Sequence, residues 1–249
     1  MEQQGDEWRT IRLEETESTN LYLKGMLLKE KLVEGTTVVA DFQTGGRGQM
    51  GNTWFSSKGE NLLFSMLIHP PKVEAREQFI ISRIASLAVK NTLGRFAEDI
   101  RIKWPNDIYW RDRKITGMLI ENDIEGRYIT NSVIGIGMNV NEQNFPVELP
   151  NPVSLRQVTG LLHNRDLLLA VFRREFFAYY DTVQKGYAKS IEEEYMRNLY
   201  RGEGHHWYED RGGRFMASIE AVLPSGHLVL RAKDGGVRTY TFKEVAFVA

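Results

Sequence analysis

Between residues 43 and 53 the chain reads QTGGRGQMGNT, an arginine set among four glycines. Gly46-Arg47-Gly48-Gln49-Met50-Gly51 satisfies G-x-G-x-x-G and follows a β-branched run, Thr36 to Asp41. A dinucleotide fingerprint needs a helix to open at the third glycine, because the helix N-terminus carries the pyrophosphate. Here Asn52-Thr53-Trp54-Phe55-Ser56-Ser57-Lys58-Gly59 follows, which reads as loop or strand, and Asn52 stands where a P-loop needs lysine. Two readings stay open. A surface loop with glycines for turns is the plainer one, and the favoured one for this segment alone. The other is an anion loop: glycines let backbone close over an anion while the guanidinium offers a planar fork to phosphate or carboxylate, and the loop orders when ligand arrives.

Lys103-Trp104-Pro105-Asn106-Asp107-Ile108-Tyr109 is the most unusual segment by residue type. A tight turn with Pro105 at its second position and Trp104 packed beneath explains the middle of the segment, and leaves Lys103 and Asp107 without a role. A carboxylate beside a phosphate-binding surface is useful for holding Mg²⁺. Lys114 follows shortly, before Ile115-Thr116-Gly117-Met118. It reads as a solvated lysine unless the fold brings it next to Arg47. Among His69, His163, His205, His206 and His227 none has i,i+4 metal-ligand spacing, and neither HExxH nor G-x-S-x-G occurs. With no cysteine at all, disulfides, thiolate metal sites and a cysteine nucleophile are excluded.

The elements that must position these residues belong to a chain of 249 residues, 42 % apolar and 26 % charged, ordinary for a folded globular protein. Lys plus Arg number 32 against 33 Asp plus Glu. No basic excess points to nucleic acid, and no apolar run approaches the roughly 18 residues a membrane span needs. The acidic, polar start MEQQGDEWRT is no secretory signal. The expected setting is the cytoplasm.

Ser18-Thr19-Asn20 caps an apolar run and predicts a helix start. Strands are predicted over 36–41, 62–68, 101–104, 108–110, 115–121 and 128–140, and helices over 74–96, 164–184 and 189–200. Ser190 and Glu193 fit a capping box for the last helix, with Gly202 closing it. Short β-rich segments follow around 214–222, 227–232, 236–242 and 245–248. Strands come in adjacent runs without strict βαβ alternation, which argues against a doubly wound sheet. The expected fold is α+β: a mixed β-sheet domain with packed helices over 1–200, then a small β-barrel-like domain over 201–249.

Taken in order, Ser18-Thr19-Asn20, Gln43 with Gly45-Gly46-Arg47-Gly48, Lys103-Trp104-Pro105-Asn106-Asp107, Lys114 with Gly117, and Gly135-Ile136-Gly137-Met138-Asn139 closely resemble the biotin protein ligases, the biotin–[acetyl-CoA-carboxylase] ligase family. The resemblance runs from about Ser18 to the C-terminus. It is strongest over 40–64 and 101–141 and thin over 142–200. It implies that the β-rich tail is SH3-like. It also implies a two-step ligase with ATP, Mg²⁺ and biotin: biotinyl-5′-AMP forms first, and a lysine of a biotin carboxyl carrier protein domain then takes the biotinyl group. By the same resemblance Arg47 and Lys114 are catalytic. Ser18, Thr19, Asn20, Gln43, Gly46, Arg47, Lys114 and Gly117 meet biotin. Arg47, Gly48, Gln49, Trp54, Asn106, Lys114 and Asn139 meet the nucleotide, and Asp107 meets Mg²⁺. For Asn139 a strand-end turn is an almost equal reading.

Two departures stand out. Many family members carry arginine after Gly48 where this chain has Gln49, which implies a less tightly held adenylate. Only 17 residues precede Ser18, too few for the DNA-binding winged helix of the regulatory branch, so a repressor role is not expected. The rivals are a lipoate-type ligase on the same fold and a non-catalytic binding protein. An exposed sheet edge would make a homodimer possible.

Overall fold

The computed structural model describes residues 8–248, apart from the side chain of Met50. In chain order the elements are β1 (Thr10–Thr16), α1 (Thr19–Leu27), β2 (Thr37–Gln43), β3 (Leu62–Ile68), α2 (Phe79–Leu93), β4 (Ile100–Lys103) and β5 (Asp107–Trp110). Then come β6 (Arg113–Glu125), β7 (Tyr128–Met138), α3 (Leu155–Thr159), α4 (Arg165–Gln184) and α5 (Ala188–Arg197). The chain ends with β8 (His206–Asp210), β9 (Gly213–Val222), β10 (Leu228–Ala232), β11 (Val237–Tyr240) and β12 (Ala246–Phe247). The fold is α+β with a mixed sheet, as expected.

The chain forms two compact units that do not follow the expected cut at residue 200. One runs up to Val73 and resumes over Arg113–Leu169; the other covers Glu74–Asp112 and continues from Ala170. In the first unit five strands pair in the order β1-β2-β3-β7-β6, parallel only between β1 and β2. Central β3, LLFSMLI, is buried at all seven positions, as its near-continuous apolar run requires. Helix α1 covers one face, where Leu23 joins Leu32, Val38, Leu67 and Val133 in a core cluster. Alternation along β2 sends Val38 to that face and Val39 and Asp41 to the other.

In the second unit α2 packs on α5, with Phe79 edge-on to Tyr195 at 5.8 Å. Buried Arg83 enters this contact and donates to Glu192 Oε1 at 3.0 Å and to the Val222 carbonyl. Strands β4 and β5 form a hairpin with Lys103 opposite Asp107. At its tip the Trp104–Pro105 peptide is cis, and Trp104 Nε1 donates to the Gly226 carbonyl at 2.8 Å. The β-rich tail is a five-stranded antiparallel sheet in the order β11-β10-β9-β8-β12.

Local expectations differ at three places. The expected capping box at Ser190 is not formed: α5 starts after Tyr187, and the Ser190 hydroxyl bonds back to the Tyr187 carbonyl at 2.8 Å. The helix closes at Asn198, before Gly202. A reciprocal capping box stands instead at Ser154 and Gln157, at the start of α3.

The strand that ends in the GIGMN run is fastened by Asn61, which is fully buried. Its Oδ1 accepts from the Val140 amide at 2.9 Å, and its Nδ2 donates to Ser56 Oγ at 3.1 Å and Glu142 Oε2 at 3.3 Å. Replacing Asn61 by alanine strands the buried Val140 N–H, at a cost of about 1–3 kcal/mol. The expected result is a lower urea midpoint with an unchanged m-value.

Candidate functional site

The glycine loop is a small folded-back hairpin. Arg47 and Thr53 form an isolated antiparallel bridge, Gly48 N donates to Asn52 O at 2.7 Å, and Trp54 N donates to Gly46 O at 2.9 Å. A single 3₁₀ turn, Gln49–Gly51, makes the tip. No helix opens there, so the dinucleotide reading fails on geometry. At Gly46 a Cβ would stand 2.7 Å from the Trp54 carbonyl oxygen, so only glycine lets the two arms meet.

Trp54, at the end of the second arm, lies on bare sheet. Gly117 on β6 pairs with Gly137 on β7, and Gly135 lies two residues back on the same face. A Cβ at Gly117 would meet Trp54 Cζ3 at 2.7 Å, and one at Gly137 would meet the indole at 2.5 Å. One at Gly135 would stand 2.2 Å from Asn20 Oδ1. Three missing side chains thus make a recess with a backbone floor, walled by α1 and the glycine loop. The indole Nε1 is buried there without a hydrogen-bond partner among the described residues.

Around the recess runs a polar chain. Gln43 Oε1 accepts from Thr19 N at 2.8 Å and Thr19 Oγ1 at 3.1 Å. Ser65 Oγ reaches Thr19 Oγ1 at 2.7 Å and also Asn20 Oδ1. Asn20 Nδ2 donates to the Leu119 carbonyl at 3.2 Å and to Glu121 Oε2 at 2.8 Å. Glu121 further receives Lys24 Nζ at 3.4 Å and an Arg47 guanidinium nitrogen at 3.3 Å. Lys114 Nζ lies 5.5 Å from the centre of the Trp54 ring and 3.3 Å from where a Gly117 Cβ would be. Its backbone is tied to the 151–153 segment on both sides: Lys114 N donates to Asn151 O at 2.8 Å and Lys114 O accepts Val153 N at 2.9 Å. Gly117 and Glu121, four residues apart on β6, share a face. The two cations Arg47 and Lys114, 67 positions apart in sequence, therefore serve one side of one sheet.

Of the expected site residues, Thr19, Asn20, Gln43, Gly46, Arg47, Trp54, Lys114 and Gly117 meet at this recess. Ser18 is the buried N-cap residue of α1 and makes no side-chain cap bond. Gly48 and Gln49 lie towards the loop tip. Asn139 is buried beside the end of β7, where its amide donates to the Val153 carbonyl at 3.2 Å. Asn106 and Asp107 belong to the other compact unit, at the turn before β5 and its first residue. Ser65, Lys24 and Glu121 carried no sequence signal and complete the network. Among the described residues no three His, Asp or Glu side chains cluster as a metal site, and no helix is long and apolar enough to cross a membrane. A cavity of about 390 Å³, against Val39 and Leu62 on the opposite sheet face, has its charges matched internally: Arg12 with Asp166 and Arg165 with Asp41, both at 2.9 Å.

The model of the biotin/lipoate A/B protein ligase family matches residues 13–139, half of the chain and every member of this recess. The chain belongs to that family. The bifunctional ligase/repressor BirA of Bacillus subtilis is 38 % identical over 131 residues, 51 % of this chain and 40 % of that protein. Biotin–protein ligase 2 of Arabidopsis thaliana is 31 % identical over 210 residues, 80 % of this chain and 63 % of that one. The chain thus spans 40 to 63 % of the length of these curated ligases. A solved biotin protein ligase from Aquifex aeolicus, in complex with biotin and ATP, has the same fold: TM-score 0.79, 24 % identity, 96 % of this chain and 97 % of that one.

The glycine floor distinguishes two substitutions. Gly135→Ala drives a methyl group into Asn20, which is held by three partners, and should destabilise the protein by about 1–3 kcal/mol in urea unfolding. Gly137→Ala meets an indole on a loop. The expected outcome is expulsion of Trp54, read as a red shift of tryptophan emission that is missing in a Trp54→Phe background, with little change in the unfolding midpoint.

Proposed function

We propose that this chain is an ATP-dependent biotin–protein ligase of the biotin–[acetyl-CoA-carboxylase] type. One observation carries the reading: Arg47 and Lys114 converge on a glycine-floored recess whose other wall is the polar set Thr19, Asn20 and Gln43. A ureido ring needs hydrogen-bond partners at one end of such a recess, and a carboxylate needs cations at the other. In the reaction biotin's carboxylate oxygen attacks the α-phosphorus of MgATP and pyrophosphate leaves. The mixed anhydride biotinyl-5′-AMP is then attacked by a lysine ε-amine of a biotin carboxyl carrier protein domain, and AMP leaves. Two anions must approach each other in the first step, and fixed positive charge stabilises the charge that develops there. Lys114 bridges the carboxylate and the α-phosphate; Arg47 clamps their oxygens from the ordered loop.

Ser18, Thr19, Asn20 and Gln43 take the ureido end, while Gly46 and Gly117 permit close backbone approach. Trp54 leaves the floor and packs on adenine. Gly48, Gln49, Asn106 and Asn139 stand on the nucleotide side. Magnesium would supply positive charge to the nucleotide's phosphates, and Asp107 would be the carboxylate that holds it. The division into a catalytic part, 1–200, and an SH3-like part, 201–249, belongs to this reading; strands β8 to β12 all fall in the second part, which supports it. So do a cytoplasmic setting and a homodimer, for which the sheet edge β1 is the available strand.

Biotin-dependent ATP–pyrophosphate exchange tests the reading. Wild type should exchange with biotin. Lys114→Ala should lose at least about 100-fold in rate, the scale of a lost charge-stabilising contact, with an unchanged far-UV spectrum. Exchange with lipoate alone would make the chain a lipoate-type ligase, and exchange with neither a binding protein. Gln49→Arg adds a cation to the loop that retains the adenylate, so stray biotinylation of bystander proteins should fall. Equal leakage from both proteins would remove Gln49 from that role.

A further inference from the structure

Glu121 is one of the three members of the network that no motif announced. It stands on the β6 face that carries the glycine floor, with its side chain 24 % exposed. Asn20 and Lys24, four residues apart on α1, reach it from one side, and Arg47 reaches it from the glycine loop. Arg47 is the cation assigned above to an anionic ligand, and its partner in this structure is a carboxylate of the protein itself. Beyond the backbone bonds of Thr44 and Gly45 to Thr16 and Glu17 at its root, the loop lies against the sheet through a side chain from each arm: Arg47 on Glu121 and Trp54 on Gly117 and Gly137.

We propose that Glu121 is a positioning residue. It serves as a resident carboxylate that holds Arg47 at the recess until the ligand's carboxylate takes the guanidinium over, and it keeps Asn20 aligned throughout. The ligand half of this statement rests on the biotin reading; the loop half does not. Exchanging one carboxylate partner for another leaves the number of ion pairs unchanged, so a ligand shifts the loop only by the difference in affinity. A neutral analogue has nothing to offer Arg47 and leaves the pair with Glu121 in place, whereas an acid must displace Glu121 and binds more weakly for it.

Trypsin cleaves after arginine, so the Arg47–Gly48 bond reports whether the loop is held. Cleavage there in the unliganded full chain is followed by mass, relative to a small peptide substrate in the same tube. Glu121→Gln keeps an acceptor for Asn20 and removes the charge. It should speed cleavage about two- to fivefold, the range of a half-exposed ion pair, and Glu121→Asp should restore protection. Raising salt should speed cleavage in wild type and not in Glu121→Gln; this arm stands on wild type alone if a variant folds poorly. In fluorescence titrations Glu121→Gln should bind biotin about two- to fivefold tighter, by the same ion-pair scale, with its affinity for biotin amide unchanged. Cleavage as slow in Glu121→Gln as in wild type at every salt concentration overturns the proposal. Equal weakening of acid and amide also overturns it, because Glu121 would then only support Asn20. Failure of wild type to bind biotin at all sinks the biotin reading and leaves the cleavage result standing.

Discussion

The site depends on side chains that are not there. Gly117, Gly135 and Gly137 strip one patch of the sheet to backbone, and only then can Asn20 and Trp54 descend to it. Glycine within a strand weakens it by roughly 0.5–1 kcal/mol relative to alanine. Their neighbours offset this: β3 is buried throughout, and Ile134, Ile136 and Met138 are buried along β7. The glycines thus sit in strands whose other positions are well packed, and the bare patch is confined to β6 and β7.

Around that patch polar groups are fixed by one another. Thr19 and Asn20 open α1, so the helix start aims both at the recess, while Ser65 rises from β3 between them. Asn20 uses both amide protons and its oxygen within the protein, and Gln43 turns its oxygen to Thr19, which leaves its amide nitrogen as the outward donor. Buried polar groups satisfied in this way adopt one arrangement, because any other leaves a donor or acceptor unpaired. The polar wall of the recess is thus fixed by the protein's own hydrogen bonds.

Much of this was legible in the sequence and some of it was not. The absence of a helix after Gly51 could be read from Asn52 to Gly59, and the strand LLFSMLI from its unbroken apolarity. Ser65 could not be singled out inside that strand, because a single serine in a buried run carries no pattern. Glu121 read as one charge in a strand of mixed character; its partners Asn20 and Arg47 lie 101 and 74 residues away. Strand β1, TIRLEET, was missed because its alternation carries more charge than core, as an edge strand permits. The S-x-x-E pattern at 190–193 misled, and the capping box stands at Ser154 and Gln157. A capping box needs the helix to begin at that serine, and α5 had begun after Tyr187. The compact units follow packing, which brings the chain back to each unit once, and no composition shift marks such a return.

The resting loop is held against the sheet by contacts of modest strength. The indole on the glycine floor removes apolar surface from water, but its Nε1 lacks an acceptor, and a buried unpaired donor costs about 1–3 kcal/mol. The contact of Arg47 with Glu121 is half-exposed and therefore worth little. The ion pair and the unpaired donor are each of the order of about 1 kcal/mol and act in opposite directions. A two-state element in near balance responds to modest differences in ligand affinity, whereas a strongly favoured state would need several kcal/mol to move. In the first arm Arg47 is the side chain that reaches Glu121 on the sheet, while the backbone of Thr44 and Gly45 is bonded to Thr16 O at 3.0 Å and Glu17 O at 2.9 Å.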